Sequence, residues 1–360
     1  MTKSIYYSTP VLLVLGGIVA ATASHLSQKS DLKEPLPVGT DLRFLAEHLT
    51  TTAEEEENAQ ITVVDVTTKA DTQETKATLP SDYEFCGERV PMEHPYVTRR
   101  LTSEIAKNCE STQGMKGLLK LSGRYQKEIV STLKKHGLPE DFFYLAVAES
   151  GLSNATSPRG AKGFWQFMSE TARIYGLEVN ETVDERLHPQ KSTEAACKYL
   201  KSAHRNFGDW ALAAAAYNAG EGGIGAAVSK QQIKDYYRLN LRSETENYVY
   251  RILALKYVMS NPEKYGIRMN DKYMSKPIPY KSVKVSENIE DLSAFAAKHG
   301  SNYFALKMMN PWLIAKKLKV KPGKTYEIRF PNSTSAMAKE LLTVPFDPSS
   351  LGKNDLMELE

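Results

Sequence analysis

Phe142-Phe143-Tyr144-Leu145-Ala146-Val147-Ala148-Glu149-Ser150-Gly151 is the stretch on which the reading of this chain turns. Seven apolar or aromatic residues run without a break into one carboxylate, and a glycine follows two positions later. Pro139-Glu140-Asp141 ahead of it suits a helical first turn, and Gly151 suits its end, so the segment reads as a buried helix with Glu149 in the last turn. A carboxylate there opposes the helix dipole, and partial burial would raise its pKa further. Such a group can remain protonated near neutral pH and serve as a general acid, although the same residues taken alone read more readily as an exposed glutamate ending a helix.

The surroundings are helical too. Leu118, Leu119, Leu121, Tyr125, Ile129, Val130 and Leu133 recur at three- and four-residue spacings, and Gly137 with Pro139 ends that helix. Further helices are expected over 169–175, 192–207, 209–218 and 244–259. Strand patterns are nearly absent between 91 and 265, so this part reads as an all-α body. After Pro262, Val283-Lys284-Val285 and Tyr326-Glu327-Ile328-Arg329-Phe330 alternate as short strands. The helical stretches 291–299 and 303–309 lie between them, which gives a small βααβ module.

Two further clusters share the chemistry of Glu149. Gly160-Ala161-Lys162-Gly163-Phe164-Trp165-Gln166-Phe167-Met168 places a glycine-lined turn, aromatics and an amide together. That set suits a sugar-binding groove in which aromatic faces stack on pyranose rings, and equally a glycine-bordered turn over core aromatics. Ala216-Tyr217-Asn218-Ala219-Gly220 closes an alanine-rich helix, placing Tyr217 and Asn218 beside glycines.

The order Ala148-Glu149-Ser150-Gly151, Ser157-Pro158-x-Gly160-Ala161-x-Gly163-Phe164-Trp165-Gln166-Phe167-Met168, Ala216-Tyr217-Asn218-Ala219-Gly220 and Glu244-Thr245-x-Asn247-Tyr248-Val249 resembles the family 1 lytic transglycosylases over roughly 115–265. The resemblance implies a goose-lysozyme-like helical fold and cleavage of the β-1,4 bond between N-acetylmuramic acid and N-acetylglucosamine. Glu149 is then the sole acid and base. It protonates the glycosidic oxygen, then takes the proton of the muramoyl C6 hydroxyl as that oxygen closes a 1,6-anhydro ring. By the same resemblance Tyr217 orients Glu149 through a hydrogen bond. Ser157, Gln166 and Asn218 line the groove, Met168 packs beneath it, Glu244 contacts substrate and Tyr248 gives support. Phe164-Trp165 and Ser169 depart from the commoner Leu-Met and Pro. The readings in competition are a hydrolytic goose-type lysozyme and a non-catalytic wall-binding scaffold.

The small module resembles a degenerate LysM repeat, with Glu287-Asn288-Ile289-Glu290 where such repeats carry Gly-Asp-Thr-Leu. The fold class expected is therefore mainly α, a lysozyme-like catalytic domain over 91–265 followed by a LysM-like module over 266–345 and a tail over 346–360.

The formal charge of +3 conceals a division. Residues 31–79 carry four basic and eleven acidic side chains, net −7, which leaves +10 for the remainder. The segment 25–90 is acidic, threonine-rich and poor in aromatics, so it reads as a disordered linker. Residues 1–24 combine Lys3, an apolar run from Val11 and Ala21-Thr22-Ala23, a pattern for a cleaved signal peptide or an uncleaved membrane anchor. Export is expected either way, with localisation in the periplasm or cell envelope. In that compartment Cys86 and Cys109 could pair, while Cys197 reads as a buried apolar residue. Cofactor motifs and metal-ligand spacings are absent from the sequence, so neither is expected. The partners expected are peptidoglycan glycan strands and an inner or outer membrane surface, and nucleic acid is not among them.

Overall fold

In a computed structural model of the chain, residues 79–270 and 274–334 are described. The expected signal or anchor, most of the acidic linker and the tail lie outside these residues.

A short hairpin opens the body, β1 (Glu84–Phe85) against β2 (Glu88–Arg89), turning through Cys86 and Gly87. Helices α1 (Pro95–Cys109) and α2 (Thr112–Lys135) follow. Helix α1 starts with proline in its first turn, and α2 is capped by Ser111, whose Oγ accepts from the Gly114 N–H at 3.0 Å. Helix α3 (Phe142–Ser150) is the expected buried helix, and Gly151 ends it in the left-handed conformation. Helix α4 (Ser169–Ile174), a 3₁₀ turn (Glu185–Leu187) and α5 (Pro189–Phe207) come next. Helices α6 (Trp210–Ala219), α7 (Glu221–Gln231) and α8 (Ser243–Ser260) complete the body.

The core follows from composition. Ala211 through Ala216 are all buried, and in α3 so are Phe142, Phe143, Leu145, Ala146 and Val147. A helix apolar on every side belongs in the middle of a bundle. The small alanines let neighbouring helices approach closely, and α8 crosses α1, α3 and α6 in this interior. Truncating a wholly buried side chain such as Phe142 (0% exposed) to alanine costs about 3–5 kcal/mol.

Two boundaries differ from expectation. Residues 79–90, expected within the linker over 25–90, belong to the folded body: Tyr83, Phe85 and Val90 are buried in its core and the Tyr83 hydroxyl donates to Leu253 O at 2.8 Å. At the other end the body extends past 265: Ile267 is in the same core, and the Ser275 N–H donates to Lys120 O at 3.2 Å. That approach requires Gly123, where a Cβ would sit 2.6 Å from Ser275 O. Cys86, Cys109 and Cys197 are all free thiols, and Cys197 is buried as expected.

The second module pairs β3 (Tyr280–Val285) antiparallel with β4 (Tyr326–Pro331), with α9 (Leu292–Lys298) and α10 (Tyr303–Met309) between them in sequence. This is the expected βααβ arrangement. Its core of Val285, Ile289, Leu292, Leu306, Trp312, Leu313, Tyr326, Ile328 and Phe330 also takes in Val183 from the helical body.

Candidate active site

Glu149 lies in the last turn of α3, half-buried, and its Oε1 accepts a short hydrogen bond from the Tyr248 hydroxyl of α8. Burial pushes its pKa from 4.5 up to about 7. The Tyr248 hydrogen bond and the positive charge of Arg251 pull it down, and the negative charge of Glu244 pushes it up. Burial therefore dominates, and the residue is half protonated near neutral pH. Because the Tyr248 hydroxyl donates to Oε1, Oε2 is the oxygen left to carry the carboxyl proton.

Tyr217 does not make the hydrogen bond expected of it. Its hydroxyl donates to Trp165 O at 2.7 Å, and its ring meets Phe167 and Tyr199 edge-on. The two tyrosines thus exchange parts, with Tyr248 orienting the carboxylate and Tyr217 holding the 163–167 turn. Burial keeps both phenols well above their ordinary pKa, so both serve as donors.

Helix α8 presents Glu244, Tyr248 and Arg251 at intervals of four and three residues, one face of one helix. Tyr248 is buried, whereas Glu244 and Arg251 are exposed. Asn218 at the end of α6 is fixed from the same helix, its Oδ1 accepting from Thr245 Oγ1 at 2.9 Å. Arg251 is a residue that the sequence reading missed, although its spacing from Glu244 was there to see.

The loop 155–167 is built on its own backbone. Ser157 Oγ accepts from the Ala161 N–H at 3.0 Å, and Gln166 Nε2 donates to Ala155 O at 3.1 Å and Gly163 O at 2.9 Å. Gln166 itself sits at a positive φ of 46°, unfavourable for a side chain other than glycine, and its amide braces the turn. Ser150 joins this loop to α3, its Oγ donating to Phe164 O at 3.0 Å. The aromatics of the loop are core residues. Phe164, Trp165 and Phe167 are 2%, 0% and 3% exposed, and Trp165 Nε1–H donates to Thr193 Oγ1 at 2.8 Å. None of the three can stack on a sugar. Met168, expected beneath the groove, is 45% exposed.

A cavity of about 130 Å³ lies apart from Glu149, between the body and the second module, lined by His188, Lys191, Trp312 and Arg329 among others. Among the described residues no group of three His, Cys, Asp or Glu converges to hold a metal ion.

Residues 128–240, which include Glu149, Ser157, Gln166, Met168, Tyr217 and Asn218, match the family described as the transglycosylase SLT domain. Residues 281–334 match the soluble lytic transglycosylase C-terminal LysM-like domain. Glu244, Tyr248 and Arg251 lie outside both spans. The membrane-bound lytic murein transglycosylase D of Escherichia coli K12 is 35% identical over 151 residues, 40% of this chain and 33% of that protein. The peptidoglycan transglycosylase of Escherichia phage T7 is 36% identical over 101 residues, 28% of this chain and 8% of that protein. This chain thus spans a third of the length of the first relative and a small part of the second. The solved 70 kDa soluble lytic transglycosylase of Escherichia coli aligns with 49% of this chain and 33% of its own, at 18% identity and a TM-score of 0.34.

Proposed function

We propose that this protein is a peptidoglycan lytic transglycosylase in which Glu149 works twice, first as acid and then as base. The observation that carries this reading is one half-buried carboxyl with a pKa of about 7, held by a tyrosine hydroxyl and lying within the residues that match the transglycosylase SLT domain. A glycosidase working through two carboxylates needs one as acid and another as nucleophile or base. Here the substrate supplies the nucleophile. Glu149 Oε2–H protonates the oxygen leaving C1 of the N-acetylmuramoyl residue. The carboxylate so formed takes the proton of the same residue's C6 hydroxyl as that oxygen bonds to C1. The bond to N-acetylglucosamine is replaced by an intramolecular ether, water is not consumed, and Glu149 ends protonated as it began.

Tyr248 orients the carboxyl, while Asn218, Ser157 and Gln166 shape the wall beside it. Glu244 and Arg251 form its charged rim. The net +10 outside residues 31–79 favours an anionic wall polymer. The relatives' names, murein and peptidoglycan transglycosylases, support the same substrate. Export through residues 1–24, with 31–79 as a tether, completes the reading, and it is supported by a relative that is named as membrane-bound. No helix of the described residues is long and apolar enough to cross a membrane.

Digestion of purified sacculi followed by mass spectrometry of the muropeptides tests the reaction. The expected products carry 1,6-anhydromuramoyl ends. Reducing ends instead would make the enzyme a hydrolase, with Glu244 the second carboxylate to test. Undiminished clearing by Glu149→Gln would remove the catalytic role altogether.

A further inference from the structure

The C-terminal module is seated on the segment 178–188 of the helical body. Val183 forms an antiparallel bridge with Leu313, the Asp184 N–H donates to Trp312 O at 2.9 Å, and the Ile314 N–H donates to Thr182 O at 3.1 Å. Glu178 accepts from the Tyr326 hydroxyl at 2.7 Å and from Lys324 Nζ. Farther along, Arg329 Nη2 donates to Glu128 Oε1 at 2.8 Å. Trp312 and Tyr326 are 2% and 1% exposed, stacked on one another 5.7 Å apart at 17°, with His188 of the body against Trp312. Trp312 and Tyr326 are therefore closed to a glycan, whereas Tyr280 and Phe304 of the same module stay exposed.

What the module holds is then passed inward. Arg186 Nε and Nη2 fork onto Asp184 Oδ1 and Oδ2 at 2.8 and 2.7 Å. Its remaining nitrogen, Nη1, donates to Gly160 O at 2.8 Å and Phe167 O at 3.2 Å, the two ends of the turn beside Glu149. Lys162 Nζ lies 3.6 Å from Asp184 Oδ2. Gly163, at φ +78°, fits so closely on Arg186 that a Cβ would stand 2.0 Å from Arg186 O. A guanidinium can tie two carbonyls and a carboxylate together because its five donors are coplanar; an ammonium cannot reproduce that geometry.

We propose that Asp184 and Arg186 are positioning residues for the active-site loop 155–167, and that the C-terminal module acts through them as a buttress of the catalytic site. The proposal rests on the transglycosylase reading for its kinetic consequence, while its structural half stands independently.

The test uses the full-length chain with Arg186→Lys, which keeps the charge beside Asp184 but loses the fork, and Lys324→Ala at the seat of the module. Amide exchange of 155–167 is expected to accelerate at least ~10-fold in Arg186→Lys and by a smaller factor in Lys324→Ala, while α6 keeps its protection. Arg186→Lys is expected to lower kcat/KM on glycan strands by ~10-fold or more, with the fall in activity above neutral pH staying at the wild-type pH because Glu149 and Tyr248 are untouched. Unchanged exchange of the loop in Arg186→Lys overturns the proposal. So does exchange raised equally throughout the body, or a kinetic loss accompanied by a shift of the pH profile. If the wild-type chain leaves sacculi intact, the enzymatic reading fails, and the exchange measurements still decide the positioning role.

Discussion

Glu149→Gln is expected to make the protein more stable at high pH while abolishing its activity. The folded state holds the Glu149 proton to about pH 7, whereas the unfolded chain releases it near 4.5. Between those values the native state binds more protons than the unfolded one, so stability is lost as pH rises through that window and the full loss is reached above it. At 1.36 kcal/mol per pH unit the shift corresponds to about 3 kcal/mol, of which about 2–3 kcal/mol develops between pH 5 and pH 8. Glutamine fills the same volume, accepts the Tyr248 hydrogen bond through its Oε1, and carries no charge at either pH. Denaturant unfolding of wild type and variant at pH 5 and pH 8 measures the difference directly. The variant should be close to wild type at pH 5 and ahead of it by roughly 1–3 kcal/mol at pH 8. A gap that is constant with pH, or that narrows as pH rises, would show that burial does not hold Glu149 protonated, and the acid role would lose its physical basis.

The same balance predicts how neighbours move the activity profile. Wild-type turnover should fall as pH rises through about 7, where the acid form of Glu149 is lost. Tyr248→Phe removes a hydrogen bond that lowers the Glu149 pKa, so the fall should move to higher pH by about one unit while kcat drops roughly 10–100-fold. Tyr217→Phe, which loses only its bond to Trp165 O, should leave the pH of the fall in place, and a shift matching that of Tyr248→Phe would restore the original assignment. Arg251→Gln should also move the fall upward, by less than Tyr248→Phe, and a downward shift in kcat against pH would contradict the charge balance around Glu149. Two glycines of one loop should separate cleanly in thermal unfolding. Gly160→Ala meets open space and bears only the strain of φ +84°, about 1–2 kcal/mol, whereas Gly163→Ala drives a methyl into Arg186 O and should cost about 3 kcal/mol or more.

Helix α3 and its carboxylate could be read from the sequence because both signals are local: an unbroken apolar run sets the burial, and Gly151 sets the end. The choice between Tyr217 and Tyr248 could not. Each is a helical tyrosine within a motif, and only the crossing of α8 over α3 decides which hydroxyl reaches Glu149 Oε1. Phe164 and Trp165 show the converse error. Aromatics beside glycines read equally well as a sugar platform or as core, and Thr193, 28 positions further on, receives the indole N–H in the interior. Helix α7 escaped notice because Gly222, Gly223 and Gly225 each lower helix propensity by about 1 kcal/mol, an effect overcome by packing through Ile224. Arg186 carried no sequence signal, since Asp-Glu-Arg in a turn reads as solvated charge until the fold encloses it.

The placement of Glu149 also explains why one group can serve both halves of the proposed reaction. A residue that must give a proton and then take one works best with its pKa near the ambient pH, because a much stronger or weaker acid would favour one step at the expense of the other. Burial alone would raise the carboxyl further and leave a group that stays protonated but is expensive to ionise when it gives up its proton. The Tyr248 hydroxyl and the Arg251 charge oppose that by stabilising the carboxylate once it forms, and Glu244 offsets part of their effect. Three of these four influences come from a single face of α8, so the rise that burial causes is trimmed by how that helix lies against α3. In the proposed reaction the pairing of the two helices is therefore as much a part of the apparatus as the carboxylate itself.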